Sequence, residues 1–167
     1  MTTIIGVTNG KQIILAGDKS ASDGSTTVTT TTPKVYKVGE DVVIGFAGDW
    51  RGGQLGVKAL MDIDTNDPDC GIEEMTAAIA QTFAEADYKN DETTFIIGYG
   101  GQLFEVQPNL GHIAIWGEYH AIGDGAAYAL GSLFTSEAPY EFNISVAFYA
   151  AARWTSCTTD YYEVSCG

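Results

Sequence analysis

Short runs of β-branched and apolar residues, punctuated by glycine turns, alternate along this chain with two stretches of helical spacing. Residues 2–8 and 11–17 form two such runs split by Asn9-Gly10, which predicts a β-hairpin. Residues 34–38 and 42–47, separated by Gly39-Glu40-Asp41, predict a second hairpin that leaves Gly48 just past a strand end. Leu55, Leu60, Met61 and Ile63 suit a helix over 54–63, ended by an acidic, proline-containing stretch. Ile72, Met75, Ile79, Phe83 and Ala86 recur every three or four residues and predict a helix over 72–88 with one core-facing stripe. Strands are expected at 94–99, 102–107 and 113–122, helices at 125–134 and 143–155, and a closing strand at 161–165. This order of strands, helices, strands and helices predicts an α+β fold, a four-layer αββα sandwich of two mainly antiparallel sheets flanked by helices.

The chain has 167 residues, 45% of them apolar, and four prolines, as expected of one domain over 1–167 with a buried core. No repeat and no linker interrupts it. The net charge of −14, from 22 acidic and 8 basic residues, argues against nucleic acid and anionic membranes as partners, because phosphate neutralisation needs clustered Lys and Arg. No apolar run approaches the roughly 18 residues of a membrane span, and the N-terminus lacks a basic segment leading into a hydrophobic one. Cys70, Cys157 and Cys166 are odd in number and too scattered for a metal motif, so a reducing, cytoplasmic setting without a metal or other cofactor is expected.

Candidate chemistry gathers at the start of the chain. Removal of Met1 would leave Thr2 with its hydroxyl beside a free amine. Such a threonine carries its own general base, with an ordinary pKa of about 7.7–8.0. Asp18 and Lys34 follow Thr2 by sixteen and thirty-two residues. A buried ammonium near the Thr2 amine disfavours its protonation and keeps it basic, while a carboxylate holds the lysine charged. Each residue also has a plain reading: a strand threonine behind a retained methionine, a turn aspartate, a solvated lysine. Their joint order and spacing favour the catalytic one.

At these positions the chain resembles the N-terminal nucleophile (Ntn) hydrolases of the proteasome β-subunit and HslV-like threonine peptidase family. The matching text is TTIIGV, NGKQIILAGD, PKVYKV, VVIGFAG and AIGDGAAYA, in the family's order and nearly its spacing over residues 2–128. The resemblance implies a threonine-type endopeptidase acting on unfolded polypeptides. It assigns the catalytic set to Thr2, Asp18 and Lys34, with the Gly48 amide as donor to the oxyanion. Where the family usually has a serine in a GSG-like turn, this chain has Asp124. That carboxylate is placed to accept a proton from the Thr2 amine, or to raise its pKa. The stretch after the AGD motif is implied to pair with substrate as an edge strand through Ser20 and Ser22. The Ser/Thr-rich run 25–32 would wall the cleft, or simply be an exposed edge or loop. Phe46 is the expected contributor to side-chain preference.

The resemblance further implies stacked homo-oligomeric rings and an ATP-dependent unfoldase ring as partner. Two other readings stay open: a catalytically inactive proteasome-like ring or shell protein with retained Met1, favoured by Asp124, and an Ntn amidase of small molecules.

Overall fold

A computed structural model of the chain describes residues 2–137 and 139–167. Eleven strands and four helices are present among them, in the order β1 (Thr3–Thr8), β2 (Ile13–Asp18), β3 (Ser20–Ser22), β4 (Thr27–Thr29), β5 (Val35–Val38), β6 (Val42–Ala47), α1 (Trp50–Met61), α2 (Ile72–Glu85), β7 (Thr94–Tyr99), β8 (Gln102–Val106), β9 (His112–Ala114), β10 (Tyr119–Gly123), α3 (Ala126–Thr135), α4 (Tyr140–Trp154) and β11 (Tyr161–Cys166). A four-stranded sheet has the order β10-β1-β2-β11 and a five-stranded sheet the order β5-β6-β7-β8-β9. All pairings in both are antiparallel. The strands β3 and β4 form a separate small hairpin.

Side-chain alternation explains the layering. Successive residues of β1 point to opposite faces: Ile4 lies in a core between the two sheets with Leu15, Val43, Ile96 and Leu103. Ile5 and Val7 face the other way, onto Ala129, Ile144 and Phe148 of α3 and α4. The five-stranded sheet does the same in mirror fashion, sending Ile44, Phe46, Phe95 and Ile97 onto Leu60, Met75, Ile79 and Phe83 of α1 and α2. Three stacked cores thus separate four layers, the predicted αββα sandwich. Strands covered on both faces read as continuous apolar runs, which is why β1, β2 and β6 are buried at every position.

The structure redraws several expected boundaries. The strand expected over 113–122 is two strands at the edges of different sheets, β9 beside β8 and β10 beside β1. The chain crosses between sheets through an exposed segment that includes Trp116 and Gly117, the latter at φ +120°. The helix expected from residue 54 starts at Trp50, because Asp49 caps it by accepting the Gly52 N–H at 2.9 Å. Gly52, Gly53 and Gly56 weaken this helix on propensity alone. A Cβ on Gly53 would sit 2.1 Å from the Phe46 ring and one on Gly56 2.5 Å from Phe95, so these glycines are what lets α1 lie close to the sheet. α2 stops at Glu85, before Asp87 at φ 48°, and α4 begins at Tyr140 rather than 143.

Candidate active site

The hairpin turn at Asn9-Gly10 folds β2 back along β1, pairing Ile4 with Gly17 and so bringing Asp18 to the start of β1. There Asp18 Oδ1 accepts the backbone N–H of Thr3 at 2.9 Å. The same oxygen accepts Lys34 Nζ at 2.9 Å. The Lys34 and Asp18 side chains are 1% and 0% exposed. Lys34 stands at the entrance to β5 in the other sheet, where its carbonyl accepts the Phe46 N–H at 3.0 Å. The ion pair therefore ties the two sheets together beside Thr2.

Burial pushes the Lys34 ammonium below its ordinary pKa, and the charge and hydrogen bond of Asp18 work against that shift. The Trp50 ring, its centroid 5.8 Å from Nζ, adds a cation–π contact. Trp50 packs edge-on against Phe46 with centroids 5.5 Å apart.

Thr2 opens onto a cleft of about 390 Å³ lined by Thr2, Ser22, Ala47, Gly48, Glu92, Thr94, Gly123 and Asp124. Four strand ends converge there: Thr3 is paired with Gly123 across β1 and β10, while Ala47 is paired with Thr94 across β6 and β7. Gly48 lies between β6 and the Asp49 cap of α1, at φ +111°. Its backbone runs so close to the preceding turn of β7 that a Cβ would lie 2.5 Å from the Glu92 carbonyl oxygen. Only glycine meets both demands.

Of the eight site residues expected from the sequence, Thr2, Gly48, Asp124 and Ser22 share the cleft, and Asp18 and Lys34 sit beneath its Thr2 end. Two take other positions. Ser20 is fully buried, giving its N–H to Asp18 Oδ2 at 3.1 Å and its hydroxyl to the same oxygen, so it holds the carboxylate rather than facing the cleft. With Thr3 and Lys34, it fills both Asp18 oxygens. Phe46 is 1% exposed and belongs to the core under α1, because its position on β6 points away from the cleft. The strand β4 is exposed along its whole length, as the edge reading of the Ser/Thr-rich run expects. Met1 lies outside the described residues.

Glu92 and Thr94 also line the cleft and were not anticipated. They lie in the polar run Lys89-Asn90-Asp91-Glu92-Thr93-Thr94, where nothing but tertiary packing distinguishes one acid from its neighbour. Among the described residues no group of His, Cys, Asp or Glu could hold a metal ion, the three cysteines are unbridged and buried, and no helix is long and apolar enough to cross a membrane.

Comparison with known proteins supplies the lineage. The family description "Proteasome subunit" matches residues 1–147. The ATP-dependent protease subunit HslV of Roseobacter denitrificans is 29% identical over 140 residues, which are 77% of this chain and 71% of that protein. Two solved structures share the fold across nearly the whole of both chains. Eukaryotic HslV from Trypanosoma brucei has TM-score 0.76 and 20% identity, covering 98% of each chain. Thiobacillus denitrificans BPH in complex with epoxomicin has TM-score 0.80 and 16% identity, covering 98% of this chain and 97% of that one. The chain thus belongs to the proteasome subunit family and is an HslV-like member of it with the Ntn-hydrolase fold.

Proposed function

We propose that this chain is a threonine-type endopeptidase that hydrolyses peptide bonds through Thr2 after removal of Met1, inside a ring-shaped compartment in the cytoplasm. One observation carries the reading: Thr2 and the Gly48 backbone share a cleft, while Thr3, joined to Thr2, hydrogen-bonds the carboxylate that pairs with buried Lys34.

In this mechanism the Thr2 hydroxyl gives its proton to the liberated α-amine as Oγ1 attacks the substrate carbonyl. The oxyanion accepts the Gly48 N–H, a preorganised donor of a kind worth about 3–4 kcal/mol. Collapse breaks the C–N bond, the ammonium returns the proton to the departing amine, and an ester remains on Thr2. Water then attacks the ester with the same amine as base, which frees the acid and restores the hydroxyl. Lys34 disfavours protonation of the amine by like-charge repulsion. Asp18, held by Ser20 and the Thr3 N–H, keeps the lysine in place. Asp124, in the cleft wall with Thr2, is assigned to act on the amine's proton. Ser22, on the rim strand β3, offers backbone groups to an extended substrate.

The ring, an unfolded polypeptide as substrate and a partner ATPase unfoldase are proposed from the HslV relative, whose name describes an ATP-dependent protease subunit. The experiment is intact-mass analysis of the natively expressed chain, followed by incubation with epoxomicin, the compound held by the Thiobacillus relative. Loss of the Met1 mass and one adduct mapped to Thr2 are expected. A retained Met1 together with no adduct and no peptide cleavage sinks the peptidase and leaves a shell-forming role.

A further inference from the structure

Glycine is the residue least suited to hold an amide still, since it populates positive and negative φ almost equally. Gly48 sits at φ +111°, and a donor aimed at a developing oxyanion is effective only when it is fixed in advance. Upstream, the ladder pairing of Ala47 with Thr94 supplies a restraint. Downstream the restraint falls on Asp49. Its backbone carbonyl accepts the Gly53 N–H at 3.0 Å and the Thr93 hydroxyl at 3.2 Å. Its Oδ2 accepts two donors, the Gly52 N–H at 2.9 Å and the Tyr88 hydroxyl at 2.8 Å.

The first of those two bonds is an ordinary helix cap. The second comes from a residue thirty-nine positions away, and α1 is built to receive it. A Cβ on Gly52 would overlap both the Tyr88 and the Thr93 hydroxyls, so the glycine that weakens the helix opens the space in which they meet Asp49. Tyr88 is itself anchored. Its N–H donates to the Phe83 carbonyl at 2.9 Å, its ring packs edge-on against Phe83 with centroids 5.0 Å apart, and the Arg51 guanidinium lies over the ring at 5.8 Å. Burial, with the Asp49 carboxylate adding to it, pushes the phenol above its ordinary pKa of 10.0, so it stays a donor at neutral pH. Asp49 and Tyr88 line a groove beside the Thr2 cleft rather than the cleft itself.

We infer that Asp49 and Tyr88 are positioning residues for peptide cleavage: the phenol, by donating to the carboxylate, locks the turn that presents the Gly48 N–H to the oxyanion. With the hydroxyl gone, Oδ2 keeps only the cap bond, and the Asp49 side chain regains freedom one residue from the donor. A misplacement of about 1 Å in such a group can cost about a hundredfold in rate. The ground-state carbonyl depends on that amide far less than the transition state does, so the loss falls on kcat rather than on KM. The inference rests on the peptidase reading above.

The test uses the assembled enzyme and one internally quenched peptide that it cleaves. Tyr88→Phe removes the hydroxyl and keeps the ring, and kcat should fall roughly ten- to hundredfold with KM held within about twofold. Asp49→Ala should lose at least as much, and the double variant no more than Asp49→Ala alone, because the two residues act as one unit. Asp49→Asn keeps an acceptor for both donors and should hold kcat near the wild-type value. Should Asp49→Ala fail to assemble, Tyr88→Phe against Asp49→Asn decides by the same two constants. A Tyr88→Phe enzyme with a lowered thermal midpoint but unchanged kcat would make the pair a stabilising cap only. That result, a rise in KM in place of the fall in kcat, or losses that add in the double variant, overturns the assignment and leaves the peptidase standing. Failure of the wild-type enzyme to cleave any peptide, with Thr2 also unlabelled by epoxomicin, overturns both.

Discussion

Lys34 Nζ meets Asp18 Oδ1 at 2.9 Å with both side chains sealed from solvent. Each comes from a different sheet. Removing one partner of such a pair strands the other charge in the interior, and Lys34→Met is expected to cost about 3–5 kcal/mol of stability, measured by urea unfolding. The double variant Asp18→Asn with Lys34→Met should recover part of that loss. The pH dependence has a definite sign. Burial lowers the Lys34 pKa in the fold, so between that lowered value and the ordinary 10.5 the unfolded chain binds the extra proton. Wild-type stability therefore gains with rising pH in that window, and the Lys34→Met variant should lack the gain.

Gly48→Ala should be costly twice over. A side chain at φ +111° is strained, and its Cβ would collide with the Glu92 carbonyl at 2.5 Å. A loss of about 1–3 kcal/mol is expected on thermal unfolding, with kcat lowered about a hundredfold or more as the amide is displaced from the oxyanion. A variant with unchanged kcat would remove Gly48 from the mechanism.

Asp124 shares the cleft with Thr2, and an anion near an amine favours its protonated form. Asp124→Asn is expected to move the acidic limb of the kcat/KM profile to lower pH by about one unit, the reading being the pH at which activity falls to half. A limb that stays put, or moves upward, would assign this carboxylate some duty other than tuning the amine.

Asp23 gives a prediction remote from the cleft. Its carboxylate accepts the Thr26 N–H at 2.8 Å and the Ser25 N–H and hydroxyl at 2.9 Å, closing the turn between β3 and β4. These bonds hold its pKa at about 2, against an ordinary 3.8. The turn's stabilisation is thus complete above 3.8 and is lost as the pH falls through about 2. Carboxyl carbon shifts followed by NMR should show this midpoint, and a midpoint near 3.8 would mean that the turn opens in solution.

Much of this architecture was readable from residue pattern. Asn9-Gly10 between two β-branched runs identifies the hairpin that brings Asp18 to Thr3, and the stripe from Ile72 to Phe83 identifies α2. Glycine misled the reading at α1, since Gly52 and Gly53 look like a loop until the Phe46 ring that they accommodate is known. The run 113–122 carries strand propensity throughout, and nothing local announces that its two ends belong to different sheets. Ser20 shows a subtler limit. Two residues beyond Asp18 is a spacing shared by any loop serine, and only its burial makes it the carboxylate's clamp. Glu92 was invisible for a related reason: its position beside Gly48 depends on how β7 enters the sheet, not on any neighbour in sequence.

The cross-sheet ion pair has a consequence for when this chain can become reactive. Lys34 and Asp18 meet only after one β-layer has settled on the other, so a nascent or half-collapsed chain carries every ingredient without the alignment. In the proposed mechanism removal of Met1 frees the amine, but the cation that keeps it basic arrives only with the completed fold, so a chain still being made is not yet a hydrolase.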